Sequence, residues 1–194
     1  MRLVGGRLKG RRLAVPAGLQ VRPTAERVRE AVFDILMHRD WGRGQASAVT
    51  GAVVLDAFAG TGAMGLEALS RGAAEVWLLE REPRVLAALR ANLAAIGAPA
   101  NAHALLGDAT RPPRAKVRAD LVFLDPPYRQ GLAQPALAAL ASAGWLGPDT
   151  LTVMETARRE AVPGLDGATI VDERTYGDTR ILFVTGGLPE PGSL

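Results

Sequence analysis

The sequence predicts an α/β domain built on a doubly wound, mostly parallel sheet that ends in an antiparallel hairpin. Three observations carry that expectation. From residue 52 onward, strand-like and helix-like segments alternate; the strand-like ones are near-continuous apolar runs, as strands covered on both faces are. The last two, inside ATIVDERTYGDTRILFVTG, are joined by too few residues for a crossover helix, so that pair must run antiparallel.

Taken in order, RLVGG and RRLAVP are short and flanked by turn residues, which fits a small hairpin or two edge strands. RPTAERVREAVFDILMHR follows as a helix opened by Pro23-Thr24, with Val28, Ala31, Val32, Ile35 and Leu36 at helical spacing on one face. WGRGQASAVTG reads as a connection. AVVLDAF is then a strand, MGLEALSRG a helix closed by Gly72, EVWLLE a strand, and PRVLAALRANLAAIG a helix between Pro83 and Gly97. AHALLGD, the basic loop ATRPPRAKVRA, the strand DLVFLD, a helix from about 132 to 143 and the strand TLTVMET precede the final pair. The expected division is a small basic N-terminal extension over 1–44, the α/β domain over 45–188 and a frayed tail over 189–194.

Composition removes several function classes. The 194 residues contain no cysteine and only two histidines, so disulfides and thiolate sites are excluded and no metal site is expected. No apolar run approaches the length of a membrane span, and the N-terminus lacks the apolar centre of a signal peptide; a cytoplasmic monomer is expected. The formal charge of +3 is unevenly spread: residues 1–50 hold ten Arg or Lys against four Asp or Glu. Arg2, Arg7, Lys9, Arg11, Arg12 and Arg22 fall in a stretch with no acid, which suits a polyanion such as RNA, although a merely solvated Arg-rich end has the same composition.

The chemistry concentrates at strand ends, where open α/β sheets bind ligands. DAFAGTGAMG follows the first strand and opens a helix, with Gly60, Gly62 and Gly65 in a G-x-G-x-x-G pattern and Phe58 inside the loop. That geometry serves dinucleotides and S-adenosyl-L-methionine alike. Asp56, directly before the loop, would repel a diphosphate and suits a cofactor that carries a sulfonium and an amino group. Glu80 ends the second strand 18 residues after Gly62, where an acid accepts ribose hydroxyls, with Arg81 beside it. Asp108 ends the third strand, placed for an adenine amine, and Ala109 offers its N–H. Asp and Glu also cap helices and end strands for purely structural reasons; three in register with a glycine loop favour the cofactor.

The fourth strand ends in Asp125-Pro126-Pro127-Tyr128. The amine of a nucleobase is a poor nucleophile because its lone pair is delocalised into the ring. The Asp125 carboxylate and the Pro126 carbonyl can each accept one of its hydrogens and aim the lone pair, Pro127 helps to make that acceptor pair rigid, and Tyr128 offers a stacking face.

At these residues the chain resembles the RsmD-type bacterial 16S ribosomal RNA guanine-N2 methyltransferases. The similarity rests on DAFAGTGAMGLEALSRGA, DPPY and the upstream RPTAERVREAVFDIL, and runs from GGRLKGRRL to about Phe183. It implies a seven-stranded class I, Rossmann-like methyltransferase fold. It also implies transfer to a guanine, position 966 in conventional RNA numbering, in the assembling small subunit. By the same resemblance Asp56, Gly60, Gly62, Glu80 and Asp108 hold the cofactor, Asp125 to Tyr128 hold the base, and Arg22 and Thr24 close over the pocket. The basic extension then contacts RNA, joined by Arg111, Arg114, Lys116, Arg118 and Arg129 on loops of the active edge. An adenine-N6 DNA methyltransferase, a non-catalytic RNA-binding assembly factor and an NAD-dependent oxidoreductase are the competing readings.

Overall fold

The computed structural model describes residues 1–16, 23–41, 46–127, 130–161 and 167–186, with the backbone alone for 23–25. The expected tail at 189–194 lies outside the described residues. Helix α1 (Pro23–His38) precedes strand β1 (Val53–Asp56), helix α2 (Ala63–Ser70), strand β2 (Glu75–Glu80), helix α3 (Pro83–Ala95) and strand β3 (Ala102–Leu106). Strand β4 (Leu121–Leu124), helix α4 (Ala133–Ser142) and strands β5 (Leu151–Ala157), β6 (Thr169–Tyr176) and β7 (Thr179–Thr185) complete the order.

The strands form one seven-stranded sheet in the order β3-β2-β1-β4-β5-β7-β6. Pairing is parallel from β3 through β5, and β7 runs antiparallel to both β5 and β6. The order reverses between β1 and β4, so the loops after these two strands diverge and leave a crevice at their carboxyl ends.

Period-two alternation divides the strand residues between two cores. Val54, Val76, Leu78, Leu121, Phe123, Val153, Ile181 and Phe183 pack on α1, α2 and α3, while Leu55, Trp77, Leu79, Val122, Leu124, Met154 and Leu182 pack on α4 and Trp145. Strand β3 departs from the expected two-sided burial. It forms one edge of the sheet, its residues are half-buried, and Leu106 is 57% exposed.

On α1 the buried stripe is Val28, Arg29, Val32, Phe33 and Leu36, with Ala31 and Ile35 half-buried beside it. The expected stripe is thus rotated to enclose an arginine. Arg29 is tolerated because Glu67 of α2, itself fully enclosed, lies 3.7 Å from its Nε, and because its Nη2 donates to the Arg2 carbonyl at 2.7 Å. Glu67 also accepts from Arg71 Nε at 2.9 Å and from the Val4 N–H at 2.8 Å.

The expected N-terminal hairpin is a single antiparallel bridge, Arg2 with Arg12, around a short 3-10 turn at Gly6–Leu8. Leu3, Leu8 and Leu13 are buried in the same core as α1, α2 and α3. Side chains of the helices hold its backbone: the Leu8 N–H donates to Ser70 Oγ at 2.9 Å, and Asn92 accepts from the Ala14 N–H at 2.7 Å while donating to the Ala14 and Thr61 carbonyls.

The connection from β3 to β4 corrects one expectation. These strands are parallel and not adjacent, so the chain must return along the α4 face to the opposite edge of the sheet. Trp145 Nε1 donates to the Pro113 carbonyl, Ala115 N–H to Ala143, and Ala119 N–H to Trp145. Lys116 sits 6.0 Å from the Trp77 ring, beside Glu75 at the start of β2, and Arg118 lies against Gly147 before β5. Neither cation is on the active edge. Arg111, bridged to Asp108, remains there.

Candidate methyl-transfer site

Two glycines show why the loop after β1 takes this sequence. Gly62, the N-cap of α2, has φ 90°, in the left-handed region that side chains disfavour. A Cβ on Gly65 would lie 2.6 Å from Leu78 Cδ2, so only glycine lets α2 approach β2 this closely. The loop stays tied to the sheet on both sides, through the Ala57 N–H to the Phe123 carbonyl and the Ala59 N–H to the Leu79 carbonyl, both at 3.0 Å.

The acids at the strand ends all serve local structure. Asp56 is buried, and its Oδ2 accepts from the Gly65 N–H at 2.9 Å, tying β1 to the first turn of α2. Glu80 accepts from the Gly60 N–H at 2.9 Å and from the Glu82 N–H at 2.8 Å, so it braces the glycine loop. Asp108 Oδ1 accepts from both the N–H and the hydroxyl of Thr110 at 2.8 Å. An ionised carboxylate offers about four lone-pair sites, so these bonds leave Glu80 and Asp108 able to accept from a ligand as well.

Electrostatics separates the acids. The bonds from Thr110, with smaller contributions from Arg81 and Arg111, hold Asp108 below its usual range. Burial pushes Asp56 up to about 7, against the opposing Gly65 hydrogen bond and with help from the nearby Glu80 charge. Between its ordinary value of 3.8 and about 7, folded Asp56 retains a proton that the unfolded chain has released. Its contribution to stability is therefore present below that window and is lost as pH rises through it, by at most about 1.4 kcal/mol per pH unit. Asp56→Asn keeps an oxygen for the Gly65 N–H and removes this titration. Urea unfolding at pH 5 and pH 8 should give a smaller pH-dependent loss in the variant than in the wild type; equal losses would show that Asp56 titrates normally.

One cavity, of about 440 Å³, brings the motifs together. Phe58, Ala59, Gly60, Thr61 and Met64 form one wall, and Leu124, Asp125, Pro126 and Pro127 face it across the β1–β4 crevice. Val28, Arg29 and Val32 of α1 close a further side, with Met1 and Val15 from the two ends of the N-terminal segment. Val153, Glu155 and Ile181 line the floor. Asp56, Glu80, Arg81, Asp108 and Ala109 do not line this cavity; Arg81 is exposed at the end of β2, and Ala109 is buried under the loop after β3.

Of the expected RNA contacts, Arg2, Arg7, Lys9, Arg11 and Arg12 are all exposed, and Arg2 pairs with Glu26 at 3.5 Å. Arg22, Tyr128, Arg129 and the side chain of Thr24 lie outside the described residues. Nothing in the residue pattern announces Met1, Val15, Arg29 and Glu155 as cavity residues. For Arg29 and Glu67 there is one signal, charged residues inside otherwise apolar helical faces.

The family model described as conserved hypothetical protein 95 matches residues 1–185. Ribosomal RNA small subunit methyltransferase D of Escherichia coli K12 is 37% identical over 169 residues, covering 84% of this chain and 78% of that protein. The chain belongs to the RsmD family. A second RsmD-family relative, ribosomal RNA small subunit methyltransferase D of Haemophilus influenzae, is 32% identical over 181 residues, with 91% and 89% of the two chains covered. The solved structure of yhhF from Escherichia coli superposes with a TM-score of 0.81 at 34% identity, covering 96% of this chain and 98% of that one. The RsmD-family chain thus has the class I methyltransferase fold, with its seven-stranded mixed sheet and terminal hairpin. Among the described residues no helix is long and apolar enough to cross a membrane, and no cluster of His, Asp and Glu could hold a metal ion.

Proposed function

We propose that this chain transfers a methyl group from S-adenosyl-L-methionine to the N2 amine of a guanine in small-subunit ribosomal RNA, acting on the assembling particle in the cytoplasm. The observation that carries this reading is a cavity that has the glycine loop on one wall and Asp125-Pro126-Pro127 on the other. The names of the Escherichia coli and Haemophilus influenzae relatives support ribosomal RNA as the substrate class.

The residues present fit the cofactor. The Glu80 charge, whose field also helps to keep the proton on buried Asp56, makes the β1–β2 end of the site electronegative, which favours a cation and disfavours a pyrophosphate. Bare backbone at Gly60, where an added Cβ would meet nothing, opens the approach, Gly62 holds the turn into α2, Phe58 contributes an apolar face, Glu80 accepts from ribose hydroxyls, and Asp108 with Ala109 meets the adenine. When bound, the cofactor supplies an electrophilic methyl group on a sulfonium.

The chain's own part is to prepare the acceptor. Asp125 and the Pro126 carbonyl each accept one hydrogen of the guanine amine, draw its nitrogen toward tetrahedral geometry and stabilise the positive charge that builds there. The flanking apolar walls exclude water. Tyr128 stacks on the extracted base, contributing roughly 1–3 kcal/mol, which offsets the cost of removing it from its neighbours. Arg22 and Thr24 close over the pocket, Thr24 toward the cofactor and Arg22 toward the RNA.

Labelled cofactor, supplied with small-subunit particles from cells lacking this protein, should label N2 of one guanine, located by nucleotide-resolved mapping. Label entering only duplex DNA, or none entering RNA, would overturn the reading. RNA binding by the N-terminal segment has its own test. Neutralising Arg7, Lys9, Arg11 and Arg12 together should weaken particle binding and flatten its salt dependence by about 0.7 to 0.9 log unit for each phosphate that is no longer neutralised. An unchanged slope would leave those side chains as a solvated surface.

A further inference from the structure

Strand register puts a second carboxylate beside Asp125. Leu124, the last residue of β4, pairs with Met154 of β5; continuing that register past the end of β4 sets Asp125 next to Glu155 at the carboxyl edge, at about the 4.8 Å spacing of neighbouring strands. By the same pleat Glu155 shares the face of Phe123, Val153 and its β7 partner Ile181, all lining the cavity with Asp125. Glu155 is half-buried, and on its own side of β5 the cavity wall is otherwise apolar.

We infer that Glu155 is the residue that selects guanine, accepting the N1–H while Asp125 and Pro126 hold the N2 amine; this rests on the function proposed above. On guanine the N1–H adjoins the N2 amine along the Watson–Crick edge, so two donor groups side by side meet two carboxylates side by side. Adenine offers a bare N1 lone pair next to its amine, which faces a carboxylate repulsively. The remaining group on the guanine edge, O6, is an acceptor. Arg29 lines the same cavity, with its Nε 3.7 Å from Glu67 and its Nη2 on the Arg2 carbonyl, so a guanidinium charge borders the pocket on the α1 side. The two carboxylates and the Pro126 carbonyl therefore match both donor groups of guanine, whereas adenine matches them with its amine alone. A site built to hydrogen-bond a substrate group rejects the analogue lacking it far more strongly than an apolar pocket rejects a change of shape.

The test uses small-subunit particles whose RNA carries either guanine or 2,6-diaminopurine at the target position. Diaminopurine keeps the N2 amine, exchanges N1–H for a lone pair and replaces O6 by a second amine; only the N1 change is answered by the Glu155 variants. Wild type should prefer guanine by at least about a hundredfold in kcat/KM. Glu155→Gln, whose amide can donate to a bare N1, should narrow that preference tenfold or more, chiefly by faster reaction of diaminopurine, with cofactor affinity unchanged. Glu155→Asp keeps the charge but withdraws it by one methylene, and should lower the guanine rate at least tenfold while still preferring guanine. A wild-type preference retained in the Gln variant, or an Asp variant as fast as wild type, overturns the role of Glu155 and leaves the methyltransferase reading intact. Failure of wild type to methylate guanine at all overturns both.

Discussion

Asp125→Ala should leave cofactor affinity within about twofold of wild type and reduce methyl transfer by about a hundred- to a thousandfold, the range for removing one preorganised electrostatic partner. Asp125 follows β4 in an exposed position at the mouth of the cavity, so truncation opens no void in either core. The glycine loop, Glu80 and Asp108 stand on β1, β2 and β3 and keep their hydrogen bonds without it. What disappears is one of two acceptors that hold the amine. The Pro126 carbonyl alone fixes one hydrogen and leaves the nitrogen free to remain planar, with its lone pair in the ring. Calorimetry for cofactor binding and single-turnover transfer to particles separate the two quantities. Full activity in this variant would remove Asp125 from the chemistry, and loss of cofactor binding would reassign it to the cofactor site.

Glu67→Ala should be among the most destabilising single substitutions in the chain, costing about 3–5 kcal/mol as expected when one partner of a buried ion pair is removed. Glu67 is fully enclosed and joins three parts of the structure: Arg29 of α1, Arg71 at the end of α2 and the Val4 N–H of the N-terminal segment. Alanine would leave the Arg29 guanidinium, 4% exposed, without its counter-charge and the Val4 N–H without its acceptor. The double variant Glu67→Leu with Arg29→Leu should lose less than the single alanine variant, because it removes both charges and refills the space. By contrast Arg2→Ala, which breaks the exposed pair with Glu26, should cost less than about 1 kcal/mol. Urea midpoints for the three variants check the order. A single variant no weaker than Arg2→Ala would mean that the ion network contributes nothing to folding.

Strand and helix order was legible in the sequence because β1, β2, β4 and β5 are apolar on both faces and are separated by capped amphipathic segments. The terminal hairpin was legible by arithmetic, since the stretch between β6 and β7 cannot hold a helix. The position of the acids at strand ends was legible for the same reason: an ionisable residue that stops an apolar run stands at the carboxyl edge. Three things were hidden. The path of residues 109–119 depends on β3 and β4 being non-adjacent, which is a fact of strand order and not of composition. Arg29 interrupts an apolar helical face, but that it is buried and paired shows only when α2 brings Glu67 to it. Glu155 sits inside a strand that reads as core, and only its register with β4 sets it beside Asp125. Each of these depends on residues far apart along the chain meeting in space, to which local pattern is blind.

The anchoring of the first sixteen residues has a consequence for biosynthesis. Ala14 is clamped by Asn92, 78 positions later, and Val4 and Leu8 by residues of α2. At a translation rate of about 5–20 residues per second, roughly 4 to 16 seconds separate emergence of the segment from emergence of its last anchor. For that interval the nascent chain leads with three unhoused leucines beside a cluster of cations, so the part of the molecule made first is among the last to settle.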